Sequence, residues 1–228
     1  MVSEFATENY LKVIVKALAE PGRERIGTGE LARLLGVTSG TATVMIKKLE
    51  RAGYLEYESH QGFSLTKAGR TYGLRVLRRH RLMEAFLVGV LDLDWSDVHE
   101  EAESLEHAAS ERLIDAIDDY LNHPTRDPNG DPIPAKAQTE YTIRDSPLSE
   151  VPVGSLIRVS RINGDKTVLS YYRQSGLVPG AEIRVLSRQP DAGLATLSVA
   201  GREATFALSA LAGVFTETEA EAGSANVR

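Results

Sequence analysis

Hydrophobic residues in the first 75 positions recur at helical spacing in three stretches. The first stretch covers residues 4–20 and ends at a Pro-Gly pair. The second begins at Thr28, which we expect to cap a short helix, and the third is capped at Thr38 or Ser39 and ends at Gly53. The pattern therefore predicts three helices, the last two joined by a turn that contains glycine.

Two strand-like stretches follow these helices. Residues 54–58 and 63–66 alternate apolar and polar side chains, and the Ser-His-Gln-Gly segment between them is typical of a turn. Two helices joined by a short turn and followed by a β-hairpin are typical of a winged helix-turn-helix. We therefore expect the first part of the chain to bind double-stranded DNA.

The pattern changes twice farther along the chain. Residues 67–90 predict one long helix, residues 95–122 one or two acidic helices, and residues 124–134 a turn-rich linker. From about residue 148, short alternating stretches separated by glycines predict a small β-barrel, so the expected fold class is mostly α with a β C-terminal part. The expected parts are a winged helix-turn-helix (1–75), a helical domain (76–145), a small β-barrel (146–217) and a disordered tail (218–228).

The distribution of charge adds to this division. The net charge of −6 argues against DNA binding if it is taken for the chain as a whole. Residues 1–75, however, contain eleven Lys and Arg against eight Asp and Glu, whereas residues 76–145 contain seven against sixteen. The first part can therefore face phosphate, and the excess of carboxylates in the second part indicates a bound cation.

The absence of cysteine restricts the chemistry. It excludes disulfides and thiolate metal sites, and it fits a reducing compartment. Any metal must be held by imidazole, carboxylate, amide or carbonyl groups, which suit harder or borderline divalent ions. No apolar run approaches the length of a membrane span, and the first ten residues lack the features of a signal peptide. We expect a cytoplasmic protein that does not bind membranes.

A stripe of imidazoles and carboxylates runs along the first acidic stretch. Its members are His99, Glu103, Glu106 and His107. Their spacing places them on one face of a helix, where two neighbouring carboxylates repel each other unless a cation lies between them. His80 and Glu84 form an i, i+4 pair on the preceding long helix. One such pattern is usually a solvated helix face, but two of them beside a DNA-binding module favour metal binding.

These motifs resemble those of a known family. The segments that carry the resemblance are Arg79-His80-Arg-Leu-Met-Glu84-Ala-Phe-Leu, His99 to His107, and Arg126-Asp-Pro-Asn-Gly-Asp-Pro-Ile-Pro. Residues 1–145 resemble the metal-dependent repressors related to the diphtheria toxin repressor and the manganese transport regulator, and residues 148–217 resemble the SH3-like, FeoA-type barrel of longer members. The resemblance implies a repressor of metal homeostasis genes, not an enzyme, that binds operator DNA as a homodimer when metal is bound.

The resemblance also implies two metal sites. The first site would use Asn9, Glu103, Glu106 and His107. The second would use His80, Glu84 and His99, completed by an acceptor from the barrel, for which Asp165 is the nearest carboxylate. Iron-type members have Cys at the position of Glu103, so a carboxylate there favours manganese. Ferrous iron is the alternative, and cobalt, zinc and cadmium are expected to bind in vitro.

Two residues depart from the family pattern. Asn9 stands where manganese-type members often have Asp, so it can ligate only through a neutral amide oxygen. Lys12 stands where some members have a Glu that helps to hold a paired metal, and a lysine there argues for two separated sites.

The surfaces for DNA and for a second subunit follow from the same pattern. The side chains expected to meet DNA are Thr38, Ser39, Thr41, Thr43 and Lys47. Hydroxyls near the start of a helix suit phosphate, so this surface positions the protein more than it reads bases. The apolar positions of residues 84–122 predict a dimer surface.

Two other classes of function remain open at this point. A metallohydrolase could use the Glu/His cluster, although the chain has no HExxH, P-loop or serine-nucleophile motif. A winged-helix regulator could instead sense a small molecule and leave the Glu/His stripe solvated.

Overall fold

The computed structural model describes residues 4–58, 60–95 and 98–217, which form two compact units. The helical unit contains the described residues up to Val90 together with Glu100–Thr125 and Ile133–Ile143. The sheet unit contains the described residues of Leu91–His99, Arg126–Pro132 and the chain from Arg144 onwards. The expected tail (218–228) lies outside the described residues, and the division into four parts stays a prediction.

Three helices form in the first part of the helical unit. They are α1 (Glu4–Ala17), α2 (Thr28–Leu34) and α3 (Ser39–Arg51). α3 begins after Thr38, whose hydroxyl oxygen accepts a hydrogen bond of 3.1 Å from the backbone N–H of Thr41. The prediction that Thr28 caps α2 is wrong, because Thr28 is the first helical residue and Gly27 occupies the N-cap position without a side-chain hydrogen bond.

The predicted hairpin follows α3. Strands β1 (Leu55–Glu58) and β2 (Gly62–Leu65) pair antiparallel, and Phe63 of β2 also forms a β-bridge with Ile26. Gly62 has φ +89°, and a Cβ atom there would lie 2.4 Å from the Ile26 carbonyl oxygen. Only glycine fits this close approach. The winged helix-turn-helix is therefore confirmed.

A long helix, α4 (Lys67–Gly89), packs against α1. The two helices pack closely at Gly73, where a Cβ atom would lie 2.8 Å from the Leu11 carbonyl oxygen and 2.5 Å from Cγ2 of Val15. The backbones therefore approach too closely for any side chain at this position. The apolar core around this contact includes Leu11, Ile14, Ile26, Leu31, Leu49, Phe63 and Leu77.

The acidic stretch forms two helices, α5 (Val98–Glu106) and α6 (Glu111–Tyr120). The hydroxyl oxygen of Ser110 caps α6 by accepting a hydrogen bond from the backbone N–H of Leu113. On α6, Ile114 and Ile117 are buried within the chain, whereas Leu113 is 48% exposed. Leu105 on α5 is 41% exposed, so apolar surface remains where the dimer surface was predicted.

The sheet unit contains an antiparallel, SH3-like sheet of six strands. They are β3 (Ser146–Pro147), β4 (Leu156–Ile162), β5 (Glu182–Gln189), β6 (Leu194–Val199), β7 (Arg202–Ala207) and β8 (Val214–Thr216). Their order in the sheet is β3-β8-β4-β5-β6-β7. On β6, Ala195, Leu197 and Val199 are buried in alternation with half-buried neighbours, as a strand with one buried face requires.

The sheet unit also contains a helix that the sequence pattern did not predict, α7 (Lys166–Gln174). The carboxylate of Asp165 caps it by accepting a hydrogen bond of 3.0 Å from the backbone N–H of Val168. Leu169 and Tyr172 bury the inner face of α7 against the sheet core.

One arginine is buried in the sheet unit. Arg161, on β4, is 6% exposed, and its Nε donates a hydrogen bond of 2.9 Å to the carboxylate of Asp145. Its guanidinium carbon lies 3.6 Å from the centroid of the Phe215 ring. The charge is thus paired and stacked, as burial of a guanidinium requires.

Candidate metal centre

Three potential metal ligands converge at the end of α5. Glu103 and Glu106 lie one helical turn apart, and His107 is the first residue after the helix. Their potential ligand atoms all lie within 4.8 Å of one another. Glu106 is fully buried and the side chain of His107 is 2% exposed, whereas the side chain of Glu103 is one-third exposed. The structure therefore brings together the α5 part of the first predicted site.

Helix α1 supplies the other side of this cluster. The imidazole Nδ1 of His107 lies 2.5 Å from Oε2 of Glu8, and the ammonium group of Lys12 lies 2.5 Å from Glu103 and 2.6 Å from Glu106. Glu8 and Lys12 are one helical turn apart, so both reach the same face of α5. The site thus joins the first helix of the DNA-binding part to the acidic helix.

Glu8 is a functional candidate that sequence reasoning missed. Its carboxylate is held in turn by Arg79, at 3.2 Å, and by the hydroxyl of Tyr72, which donates at 3.3 Å. Burial raises the pKa of Tyr72, and the nearby carboxylate of Glu8 raises it further, so the phenol stays a donor. The chain Arg79–Glu8–His107 fixes the ring of His107 with Nε2 directed away from Glu8.

His80, on α4, lies against the same carboxylates. Its Nδ1 is 2.6 Å from Oε2 of Glu106 and its Nε2 is 3.1 Å from Oε1 of Glu84. Burial alone would lower the pKa of His80, but the carboxylates of Glu84 and Glu106 outweigh it and hold the pKa above its ordinary value. The i, i+4 pair predicted on the long helix is therefore a buried contact.

Two buried atoms of the first predicted site lack a hydrogen-bond partner among the described residues. They are the amide oxygen of Asn9 and Nε2 of His107. A buried polar atom without a hydrogen bond has a substantial cost in free energy, so such an atom at each of two expected ligand positions requires an explanation. One imidazole nitrogen, one amide oxygen and two carboxylates make a donor set without sulfur, which fits manganese or ferrous iron. The residues present therefore fit the expected metal.

Two members of the second predicted site, His99 and Asp165, lie in the sheet unit. His99 is in the first turn of α5, one helical turn before Glu103, and Asp165 caps α7. Glu84 is buried in the helical unit beside His80. The grouping of these residues into one site stays a prediction.

A further group of potential ligands was not predicted from the sequence. Asp118, Asp119 and His123 offer atoms within 4.8 Å of one another at the end of α6. Asp118 forms an ion pair of 2.7 Å with Arg78, and the imidazole of His123 lies 2.9 Å from Asp118. Because His123 is 67% exposed, we interpret this group as a surface ion-pair network.

The predicted DNA-contacting residues lie on the exposed side of α3. Thr38, Ser39, Thr41, Thr43 and Lys47 are all exposed. Three of their hydroxyls are used locally: Thr38 caps the helix, the hydroxyls of Thr38 and Thr41 are hydrogen-bonded to each other, and Thr43 donates to the backbone oxygen of Ser39. Val44, 58% exposed, lies among them and offers an apolar contact that the sequence analysis did not single out.

Comparison with known proteins agrees with this architecture. Residues 4–63 match the family model of the iron-dependent repressor N-terminal DNA-binding domain, residues 66–135 that of the iron-dependent repressor metal-binding and dimerisation domain, and residues 146–211 the FeoA domain. The iron-dependent repressor IdeR of Mycobacterium tuberculosis is 32% identical over 215 residues, which cover 86% of this chain and 90% of IdeR. The chain belongs to this family of metal-dependent transcriptional repressors.

Other members extend the comparison to manganese. The regulator MntR of Oceanobacillus iheyensis is 35% identical to this repressor over 118 residues, 51% of the chain and 77% of MntR. A solved manganese-dependent transcriptional repressor in complex with manganese has a TM-score of 0.85 and 35% identity, covering 92% of this chain and 99% of that one. The structure of ScaR with bound Cd²⁺ has a TM-score of 0.79 and 30% identity, covering 93% and 99%.

These relatives are transcriptional repressors and not enzymes, as expected for this chain. Within the described residues, no helix has both the length and the apolar character needed to cross a membrane.

Proposed function

We propose that this repressor binds manganese through Asn9, Glu103, Glu106 and His107 and that the metal-bound homodimer binds operator DNA. The observation that carries the proposal is the convergence of three ligands at the end of α5. Two buried atoms of the proposed ligand set, Asn9 Oδ1 and His107 Nε2, also lack a hydrogen-bond partner among the described residues. In a family of metal-dependent repressors, a buried ligand set of this kind is the best candidate for the sensor.

The chain's own residues prepare this site. When bound, a divalent metal supplies the positive charge that the two carboxylates and the two neutral donors share. Glu8 holds His107 in one orientation, and Arg79 and Tyr72 hold Glu8. Asn9 lies beside Glu8 on α1, the first helix of the DNA-binding part. A ligand set that spans α1 and α5 therefore ties the DNA-binding helices to the acidic helices, and can favour one arrangement of the two.

The proposed preference for manganese rests on the donor types. Carboxylate and amide oxygens favour manganese over ions that prefer thiolate, and Glu103 supplies a carboxylate rather than a thiolate. Ferrous iron is the alternative, since IdeR is named as an iron-dependent repressor. Glu103→Cys should move the preference toward softer ions such as cobalt and zinc, and unchanged relative affinities in calorimetry would contradict the role of Glu103 as a ligand.

The DNA surface in this proposal is the exposed side of α3. Thr38, Ser39 and Thr41 lie at its N-terminal end, where backbone N–H groups and hydroxyls suit phosphate. Lys47 lies two turns farther on the exposed side and adds a positive charge. In a homodimer, two such helices meet two half-sites of the operator.

The test is a DNA-binding titration with several metals in parallel. The DNA is a duplex selected from random sequence by the manganese-loaded chain. It is titrated with protein in the presence of manganese, ferrous iron, cobalt, zinc or chelator. Sedimentation gives the oligomeric state of the protein. We expect a dimer, no retardation in chelator, and retardation in manganese that His107→Ala abolishes at ordinary metal concentrations. Equal DNA binding in chelator, or a monomer in manganese at micromolar protein, would overturn the proposal.

A further inference from the structure

Lys12 is an unusual residue at the metal centre. It lies on α1, is 3% exposed, and its ammonium group contacts Oε1 of Glu103 and Oε1 of Glu106 at 2.5 and 2.6 Å. A lysine is almost never buried unless its charge is paired, and here it is paired with two carboxylates at once. These carboxylates are the two charged members of the proposed ligand set.

The contacts of the four proposed ligands divide into two kinds. The neutral donors, Asn9 Oδ1 and His107 Nε2, have no hydrogen-bond partner among the described residues. The carboxylates already touch a cation that belongs to the protein itself. The other oxygen of Glu106 is engaged by His80 at 2.6 Å, so Lys12 occupies the oxygen of Glu106 that lies 3.4 Å from His107 Nε2.

This geometry gives Lys12 two opposite effects. In the metal-free protein, its charge removes the repulsion between two neighbouring carboxylates and so stabilises the fold. Toward a divalent cation, the same charge lies on the oxygens that the cation requires and repels it. A group that favours the metal-free state lowers the observed metal affinity by the same linkage.

We propose that Lys12 is a built-in competitor of the metal: it is the resident counter-ion of Glu103 and Glu106, and it sets the metal concentration at which the repressor responds. The inference rests on the proposed function, since it concerns the same site. It predicts that removal of the Lys12 charge strengthens metal binding while it weakens the metal-free fold.

The experiment uses the full chain with Lys12→Met and the exposed control Lys16→Met, one turn farther along α1. Methionine keeps the length and the helix preference of lysine without its charge. Calorimetric titration with Mn²⁺ should show roughly tenfold or greater tightening for Lys12→Met, because a tenfold change needs only one modest charge interaction. The melting temperature of its metal-free form should fall. Lys16→Met should change neither quantity.

Lys12→Gln is a second variant, in case Lys12→Met does not fold. Glutamine keeps a hydrogen-bond donor, so the metal-free chain should lose less stability than with methionine while metal binding still tightens. Unchanged or weaker Mn²⁺ binding in both variants would overturn the inference, and weaker binding with a lower melting temperature would make Lys12 a structural support only.

The failure of the proposed function has a different signature. If the wild-type chain binds no Mn²⁺, or if His107→Ala binds it as tightly as the wild type, the metal centre itself is wrong. If His107→Ala loses binding but the two Lys12 variants bind as the wild type does, only the role of Lys12 is wrong.

Discussion

In the helical unit, several buried or largely buried ionisable side chains touch one another in a network that runs from Arg79 through Glu8 to His107, and from Lys12 through Glu106 to His80. In the sheet unit, the buried charge is centred on Arg161, whose contacts with Asp145 and the Phe215 ring satisfy it.

The two networks differ in whether a potential ligand atom within them is left without a hydrogen bond. In the helical unit, two buried atoms, Nε2 of His107 and Oδ1 of Asn9, have no hydrogen-bond partner among the described residues. Arg161 also lies within reach of a second carboxylate, that of Asp131 at 3.8 Å. Buried charge beside atoms that lack a hydrogen bond, as in the helical unit, indicates a ligand site. Buried charge that is paired within the protein, as at Arg161, indicates a contribution to the stability of the fold.

The strongest test of this contrast pairs Glu106→Ala with Arg161→Met. Each removes a buried partner and leaves opposite charge behind, so each should destabilise its own unit by about 3–5 kcal/mol. Hydrogen exchange of the amides of each unit measures the two effects separately. Only Glu106→Ala should also lose Mn²⁺ binding in calorimetry. A loss of metal affinity in Arg161→Met would break the distinction between the two networks.

Glu8→Gln tests whether the helical network serves the ligand or only the fold. Because Glu8 holds the imidazole of His107 in one orientation, Mn²⁺ affinity should fall by about 10–100-fold, measured by calorimetry. Glu4→Gln, at an exposed position one turn earlier on α1, is the matched control and should bind as the wild type does. Equal affinity in the two variants would show that Glu8 has no positioning role.

Lys47→Ala extends the comparison to DNA. If α3 meets phosphate, the slope of log affinity against log salt should become shallower by about 0.9, and binding should weaken similarly on selected and unrelated duplexes. Arg202→Ala, an exposed cation in the sheet unit, is the control and should leave the slope unchanged. A change of slope with Arg202→Ala instead would move the DNA surface to the other unit.

The smallest expected effect concerns the exposed His123. A hydrogen bond to Asp118, helped by its charge, raises the pKa of His123 above its ordinary value, and NMR titration should show this. Because the folded-state pKa is raised, the contribution to stability is complete below about pH 6.5 and is lost as pH rises through the folded-state value. Asp118→Asn should return the pKa to its ordinary range, whereas Asp115→Asn should not.

The sequence predicted the architecture well where the pattern was long and regular. Periodicity and glycine positions indicated the helix-turn-helix, the hairpin, one or two acidic helices and a small β-barrel. α7 was missed because its apolar residues, Val168, Leu169 and Tyr172, cover only two turns and follow a strand directly. Strands β3 and β8 are two and three residues long, too short to show any alternation.

For the candidate site, the sequence indicated the ligands on α5, but not the contacts that Glu8 and Lys12 of α1 make with them. The stripe on α5 was visible because all its members lie on one helix. Glu8 and Lys12 were harder to assign, since their partners lie more than 90 residues away in the chain. A signal was nevertheless present, because both residues share the buried face of α1 with Leu11 and Val15. A charged side chain on a buried face is almost always paired.

Gly73 limits the position of α1, the helix that carries part of the metal centre. A methyl group there would press on the Leu11 carbonyl oxygen, which is backbone and cannot rotate aside, so α1 and α4 would have to move apart. Helix α1 carries Glu8 and Lys12, so such a shift would also strain their contacts with His107, Glu103 and Glu106. A residue with no side chain, which is not itself a proposed ligand, therefore constrains the helix that carries part of the sensor.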